Sequence, residues 1–179
     1  MISDTLAIIP ARSGSKGFPG KNITLFNGHP LLAYSIAAAK LAGIKRVLIS
    51  TDSKEYASIA VKYGAEAPFL RPLKISRDQS TDFEFMRHAM EWILKHEKKV
   101  PEYWLHLRPT TPLRVNKVLK KAINKIKNNN NATSLRSGHK AIHNPLKWFL
   151  KDEEGYFRGL SKGLTTEIIN KPRQKFQKV

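Results

Sequence analysis

No cysteine occurs among the 179 residues. Disulfides and thiolate metal sites are therefore excluded. Long apolar runs are missing as well. No stretch approaches the about 18 consecutive apolar residues of a membrane span. The N-terminal apolar run breaks at Pro10 and lacks the basic start of a secretory leader. The expectation is a cytoplasmic chain with no membrane partner. Acidic residues are scarce: 14 Asp and Glu stand against 32 Lys and Arg, a net charge of +18. Between Thr5 and Thr51 there is no acidic residue, while six Lys or Arg occur there. Such an excess asks for an anionic partner. Nucleic acid is one candidate. However, the charges are spread along the chain, and no zinc-finger spacing, RNP-like aromatic motif or basic heptad helix accompanies them. No nucleic acid is expected, and an anionic small molecule accounts for the same charge. His139 and His143 share helical spacing, but Gly138 and Pro145 argue against a helix there, so no zinc site is expected. No GxSxG occurs, which leaves a serine hydrolase without support.

What is present is an alternation of apolar runs and amphipathic stretches. Thr5 to Pro10 is a nearly continuous apolar run, as for a buried strand. Pro30 suits the first turn of a helix that Gly43 ends. Val47 to Ser50 is a second buried strand. Asp52, with Glu55 three residues on, has the pattern of a capping box for a helix ending by Gly64. Ala65 to Leu70 is a candidate third strand. Thr81 and Glu84 form another capping box, and Phe83, Met86, Met90 and Ile93 fall on one face of the helix that follows. Tyr103 to Leu107 is a fourth strand. Val115, Val118, Leu119, Ala122, Ile123 and Ile126 mark one helix face, and Ala132 to Arg136 is a candidate fifth strand. This order predicts an α/β chain with an open, mainly parallel, doubly wound sheet, organised as one domain over 1–179. Ligands of such sheets bind beyond the C-terminal ends of the strands.

One of those ends carries IIPARSGSKGFPGKN, residues 8–22. Three glycines and the cations Arg12, Lys16 and Lys21 share it with no carboxylate. Glycines let backbone N–H groups turn toward an anion, and the cations add charge-assisted hydrogen bonds. Several phosphates in a row are the natural guest, although neither GxxxxGK[ST] nor GxGxxG is present. A solvated basic loop is the plainer alternative.

IIPARSGSKGFPGKNI resembles the signature of the acylneuraminate (sialic acid) cytidylyltransferases. LISTDS, FLRPLKISRDQST, LHLRPTTPLR and KPRQ resemble further blocks of that family in order and spacing. The resemblance implies a Rossmann-like nucleotidyltransferase fold. It also implies transfer of CMP from CTP to a nine-carbon 2-keto sugar acid, with release of pyrophosphate and with magnesium. Arg12 and Lys21 would act in catalysis, stabilising charge on the departing pyrophosphate. Arg12, Ser15, Lys16, Lys21, Asn22, Arg71, Asp82 and Arg108 would bind the nucleotide, and Arg173 and Gln174 would meet the sugar acid. The excursion over 137–164, with apolar pieces Trp148 to Leu150 and Tyr156 to Leu160 around Gly155, would be an arm for a homodimer. By itself it is an ordinary surface hairpin. A nucleotidyltransferase for another sugar or nucleotide, or a catalytically silent nucleotide-binding protein, are the alternatives.

Two departures qualify the resemblance. Arg108 stands where the sialic acid enzymes carry a glutamine, and Gln79 to Asp82 replaces a run of small residues. A guanidinium has only donors, so Arg108 can meet a base carbonyl, a phosphate or the substrate acid, but no amino group. The family also continues past KPRQ with further strands and an acidic pair for magnesium. The chain as given is therefore expected to bind nucleotide without catalysing the transfer, its metal ligands unknown. Asp52, Asp78 and Asp82 are the acids near the loop. Asp52 is either a helix cap or a metal ligand.

Overall fold

A computed structural model describes residues 4–138 and 148–160. The elements run, in chain order, β1 (Thr5–Pro10), β2 (Leu25–Phe26), β3 (His29–Pro30), α1 (Leu31–Leu41), β4 (Arg46–Ser50), α2 (Lys54–Lys62), α3 (Asp82–Glu97), β5 (Tyr103–His106), α4 (Asn116–Lys127), β6 (Phe149–Lys151) and β7 (Phe157–Gly159). They fall into two compact units, Met1–Thr133 and Ser134–Val179.

The first unit is built on a parallel sheet of order β4-β1-β5. Ile8 of β1 stands opposite Leu48 on one side and His106 on the other. Side chains alternate across β1. Ala7 and Ile9 join Leu32 and Ile36 of α1, Tyr56 and Ala60 of α2 and Ile123 of α4. Leu6 and Ile8 join Phe85, Ala89 and Ile93 of α3. Helices thus cover both faces, which is why the central strand is apolar at nearly every position. The doubly wound α/β expectation holds.

The local punctuation follows the residues. Asn27 and Gly28 both take positive φ, 48° and 81°, and make the two-residue turn that joins β2 to β3. Thr81 and Glu84 cap α3 reciprocally, as expected. Other expectations need correction. The cap of α2 is Ser53, whose side chain accepts from the Tyr56 N–H at 3.3 Å. Asp52 does other work. Ala65 to Leu70 contributes one bridge, between Leu48 and Glu66, and no strand. Ala132 to Arg136 has no regular structure. On α3 the buried positions are Phe85, Ala89 and Ile93, whereas Phe83 is 69% exposed.

In the second unit β6 and β7 pair antiparallel, with Leu150 opposite Arg158. Gly155 turns between them at a φ of 92°. Asp152 accepts from the Tyr156 N–H at 2.8 Å and from Arg158 Nε at 2.7 Å. The expected hairpin around Gly155 is present. Among the described residues no helix is long and apolar enough to cross a membrane.

Candidate functional site

The chain leaves β1 toward β4 on one side and reaches β5 on the other, so the crevice between the ends of β1 and β5 is a topological switch point. A cavity of about 340 Å3 opens there. The end of β1 supplies Pro10, and the segment after it Arg12, Ser15, Lys21 and Asn22. The approach to α3 supplies Arg71, Arg77, Ser80, Thr81 and Asp82, and the turn after β5 supplies Arg108 and Thr110. Among the described residues, five cations line the cavity (Arg12, Lys21, Arg71, Arg77 and Arg108) with one carboxylate, that of Asp82.

The loop after β1 is held by bonds to its neighbours. Ala11 N–H reaches the Ser50 carbonyl at 2.9 Å. Asp52, at the end of β4, accepts from both the Ser13 N–H and the Ser13 hydroxyl, each at 2.8 Å. A carboxylate otherwise suited to capping thus ties two strand ends together. Buried Asn22 donates to the Arg12 carbonyl at 3.0 Å. Of the three glycines, Gly20 alone needs positive φ, 70°, to start the 3-10 turn Lys21–Ile23. Gly14 and Gly17 leave open space where a side chain would stand. Arg12 and Lys16 both grip Asp78, at 2.7 and 2.9 Å. Those cations, Lys16 foremost, hold the Asp78 carboxyl below its usual range, so it stays ionised at neutral pH. Lys16 is absent from the cavity lining. Lys21 lines the cavity and makes no ion pair with a described residue.

Arg71 is the unusual member. It is 5% exposed, donates through Nε to Ser50 Oγ at 3.1 Å and through a terminal nitrogen to the Ser50 carbonyl, and lies 4.9 Å from the centre of the Phe85 ring. No described carboxylate pairs with it. Burial pushes its guanidinium down to about 10. Arg108 pairs with Asp82. Its carbonyl accepts from Arg114, which also donates to Ser35 Oγ at 3.0 Å and so fixes the turn after β5 against α1.

The expected residues Arg12, Ser15, Lys21, Asn22, Arg71, Asp82 and Arg108 are thus brought to one cavity. Arg173 and Gln174 lie outside the described residues, as do His139 and His143. Sequence reasoning did not single out Arg77, Ser80 or Phe85. Arg77 and Ser80 lie in a segment with no periodicity to mark them, and Phe85 lies on the α3 stripe that the sequence reading did not choose. For magnesium, the acids near the loop are already engaged: Asp52 by Ser13, Asp78 by Arg12 and Lys16, and Asp82 by Arg108. No group of three candidate ligands occurs among the described residues. These residues do not fit a dedicated magnesium site.

Residues 6–172 match the family model described as Cytidylyltransferase. A pseudaminic acid cytidylyltransferase of Campylobacter jejuni is 41% identical over 121 residues, covering 67% of this chain and 52% of that protein. An N-acylneuraminate cytidylyltransferase of Escherichia coli is 41% identical over 115 residues, covering 64% of this chain and 26% of that protein. A CMP-N,N'-diacetyllegionaminic acid synthase of Legionella pneumophila is 39% identical, covering 66% of this chain and 51% of that protein. The chain spans about half the length of two of these relatives and about a quarter of the other. In fold it is similar to a CMP:2-keto-3-deoxy-manno-octonic acid synthetase solved with CTP. The TM-score there is 0.58 at 19% identity, over 72% of this chain and 49% of that one.

Proposed function

The chain belongs to the cytidylyltransferase family, and we propose that its cavity binds CTP for transfer of CMP to a nine-carbon 2-keto sugar acid. The observation that carries this is Arg71, a buried guanidinium paired with no described carboxylate, in a cavity whose lining holds five cations and one acid. An unpaired buried charge is costly to keep. A triphosphate would meet it, and relatives at about 40% identity bear names that describe CMP-sugar acid synthesis.

The chemistry asks little of the protein beyond position and charge. The sugar's anomeric hydroxyl attacks the α-phosphorus in line, the bond to the β-phosphate oxygen breaks, and the hydroxyl proton leaves to solvent. Arg12, Lys21 and Arg71 would meet the charge that builds on pyrophosphate. Magnesium belongs to the proposal as a companion of the triphosphate oxygens, since it is commonly held by phosphates with few carboxylates. The sugar acid is of the sialic, legionaminic or pseudaminic kind, with Arg173 and Gln174 facing it. The cytoplasm, which holds a pool of CTP, is the proposed place of the reaction. The hairpin β6–β7 would serve a homodimer.

The test is pyrophosphate release from CTP and magnesium with N-acylneuraminic, pseudaminic and N,N'-diacetyllegionaminic acids. It uses this chain and a fusion supplying the part of the Campylobacter relative that the match does not cover. Turnover of the fusion with one of the acids is expected. Binding of CTP with turnover on none of the three would sink the sugar-acid assignment. Preference for another triphosphate would move the reading to a different nucleotidyltransferase.

A further inference from the structure

Helix α4 carries five lysines and no acidic residue. From Tyr103 to Lys151 the sequence has no Asp or Glu at all. The helix docks on the sheet through buried Ile123 and half-buried Leu119. Lys127 pairs with Asp4. Lys117, Lys120, Lys121 and Lys125 are exposed and pair with no described carboxylate. Their arrangement works against the helix. Lys117, Lys121 and Lys125 stand four residues apart and repel one another along one stripe. Lys117 lies in the first turn, where the backbone dipole disfavours a cation. A helix that needed only solvation would gain from acids at these places.

Apolar side chains accompany these lysines. Leu113, Val115 and Val118 are 75%, 66% and 57% exposed. Val118 stands three residues after Val115 and three before Lys121, so the apolar and basic side chains adjoin on the helix surface. We propose that this face of α4 rests on an anionic lipid surface. The lysines meet headgroup phosphates, and Leu113, Val115 and Val118 reach the boundary of the acyl chains. Charge complementarity supplies the attraction, and the aliphatic side chains select lipid over nucleic acid. Arginine and aromatic residues, which read bases and stack on them, are absent from α4. Such a contact is peripheral and needs no spanning segment, so the lack of a long apolar run does not oppose it. It also leaves the cavity open, since none of these side chains lines it.

Cosedimentation with vesicles of phosphatidylglycerol and phosphatidylcholine, or of phosphatidylcholine alone, tests this. The wild-type chain should bind the anionic vesicles, ignore the neutral ones and be released at about 0.5 M salt. Lys117→Glu combined with Lys120→Glu should weaken binding at least about tenfold, since each lysine at an anionic surface is worth roughly a fivefold change. Acids near the start of α4 suit its dipole, so this variant should fold, and an unchanged melting curve checks it. Lys54→Glu with Lys62→Glu on α2 makes the same change in net charge elsewhere and should retain most of the binding. Val115→Ser with Val118→Ser keeps the charge and should lose several-fold. No binding of the wild type to anionic vesicles overturns the proposal. So do equal losses for the α4 and α2 lysine variants, which would mark an unspecific effect of net charge, and wild-type binding by the serine variant. Tighter capture of RNA than of vesicles through the α4 lysines would also overturn it, and would make this a nucleic-acid face.

Discussion

Arg71 is a charge that the fold keeps against its own stability. Desolvation lowers its pKa from the ordinary value to about 10. A base with a lowered folded-state pKa destabilises the fold while it stays charged. That cost is present in full below about pH 10 and is relieved only as the pH climbs toward the ordinary value. Two bonds to Ser50 and the Phe85 ring offset part of it. Replacing Arg71 with Met should therefore leave the apoprotein's Tm unchanged within about 2 °C, or raise it. CTP affinity should fall at least about tenfold. Calorimetry and a melting curve check both, and a large Tm loss with intact affinity would make Arg71 a structural residue. The cations of this site were legible in the sequence, because charge without counter-charge on a glycine-bearing loop is itself a pattern. The work of Asp52 was not. Its spacing to Glu55 matched a helix cap, and only the folded neighbour Ser13 shows that it ties β4 to the loop after β1.

Among the elements, that loop depends on the tie. Both Asp52 oxygens are spent on Ser13, so Asp52→Ala should free the segment between Arg12 and Gly20 while leaving the sheet formed. Faster amide exchange at Ser13 and a several-fold weaker CTP affinity are expected, with little change in Tm, since the bonds removed are local and partly exposed. Exchange rates at Ser13 equal to wild type would show that the loop is held by other means. Buried strands β1 and β4 were readable because strands covered on both faces are apolar throughout. The face of α3 was not. Phe83, Phe85, Met86, Ala89, Met90 and Ile93 allow two overlapping helical stripes, and the sheet selects Phe85, Ala89 and Ile93. Ala65 to Leu70 looked like a strand from composition alone. After the bridge at Glu66, Arg71 N–H bonds the Thr51 carbonyl at 2.7 Å, which carries the segment past the strand ends and puts Arg71 into the cavity.

At the scale of the whole molecule, the hairpin β6–β7 exposes Trp148, Phe149, Leu150, Tyr156 and Phe157. Phe149 and Phe157 lie together with ring centres 6.4 Å apart, and exposed apolar surface of this kind suits an interaction site. The homodimer reading expects a dimer by sedimentation at micromolar concentration, and a monomer for Phe149→Asp combined with Phe157→Asp. A monomeric wild type would contradict it. The parallel sheet and the crevice at its switch point followed from the order of apolar runs. Which side chains share the crevice did not follow from the apolar runs, because residues 10–22, 71–85 and 108–110 are far apart in the chain; the resemblance grouped seven of them, and the fold adds Arg77, Ser80 and Phe85.

The central claim is that this crevice is a triphosphate site rather than a basic surface, and Lys21 tests it most directly. It lines the cavity, pairs with no described carboxylate and is only partly exposed. Titration calorimetry with CTP should show a saturable site on the wild-type chain. In Lys21→Ala the affinity should be weaker by about tenfold to a hundredfold, the worth of one charged hydrogen bond. Equal CTP affinity in the two proteins, or no saturable binding to the folded wild type, would contradict the account.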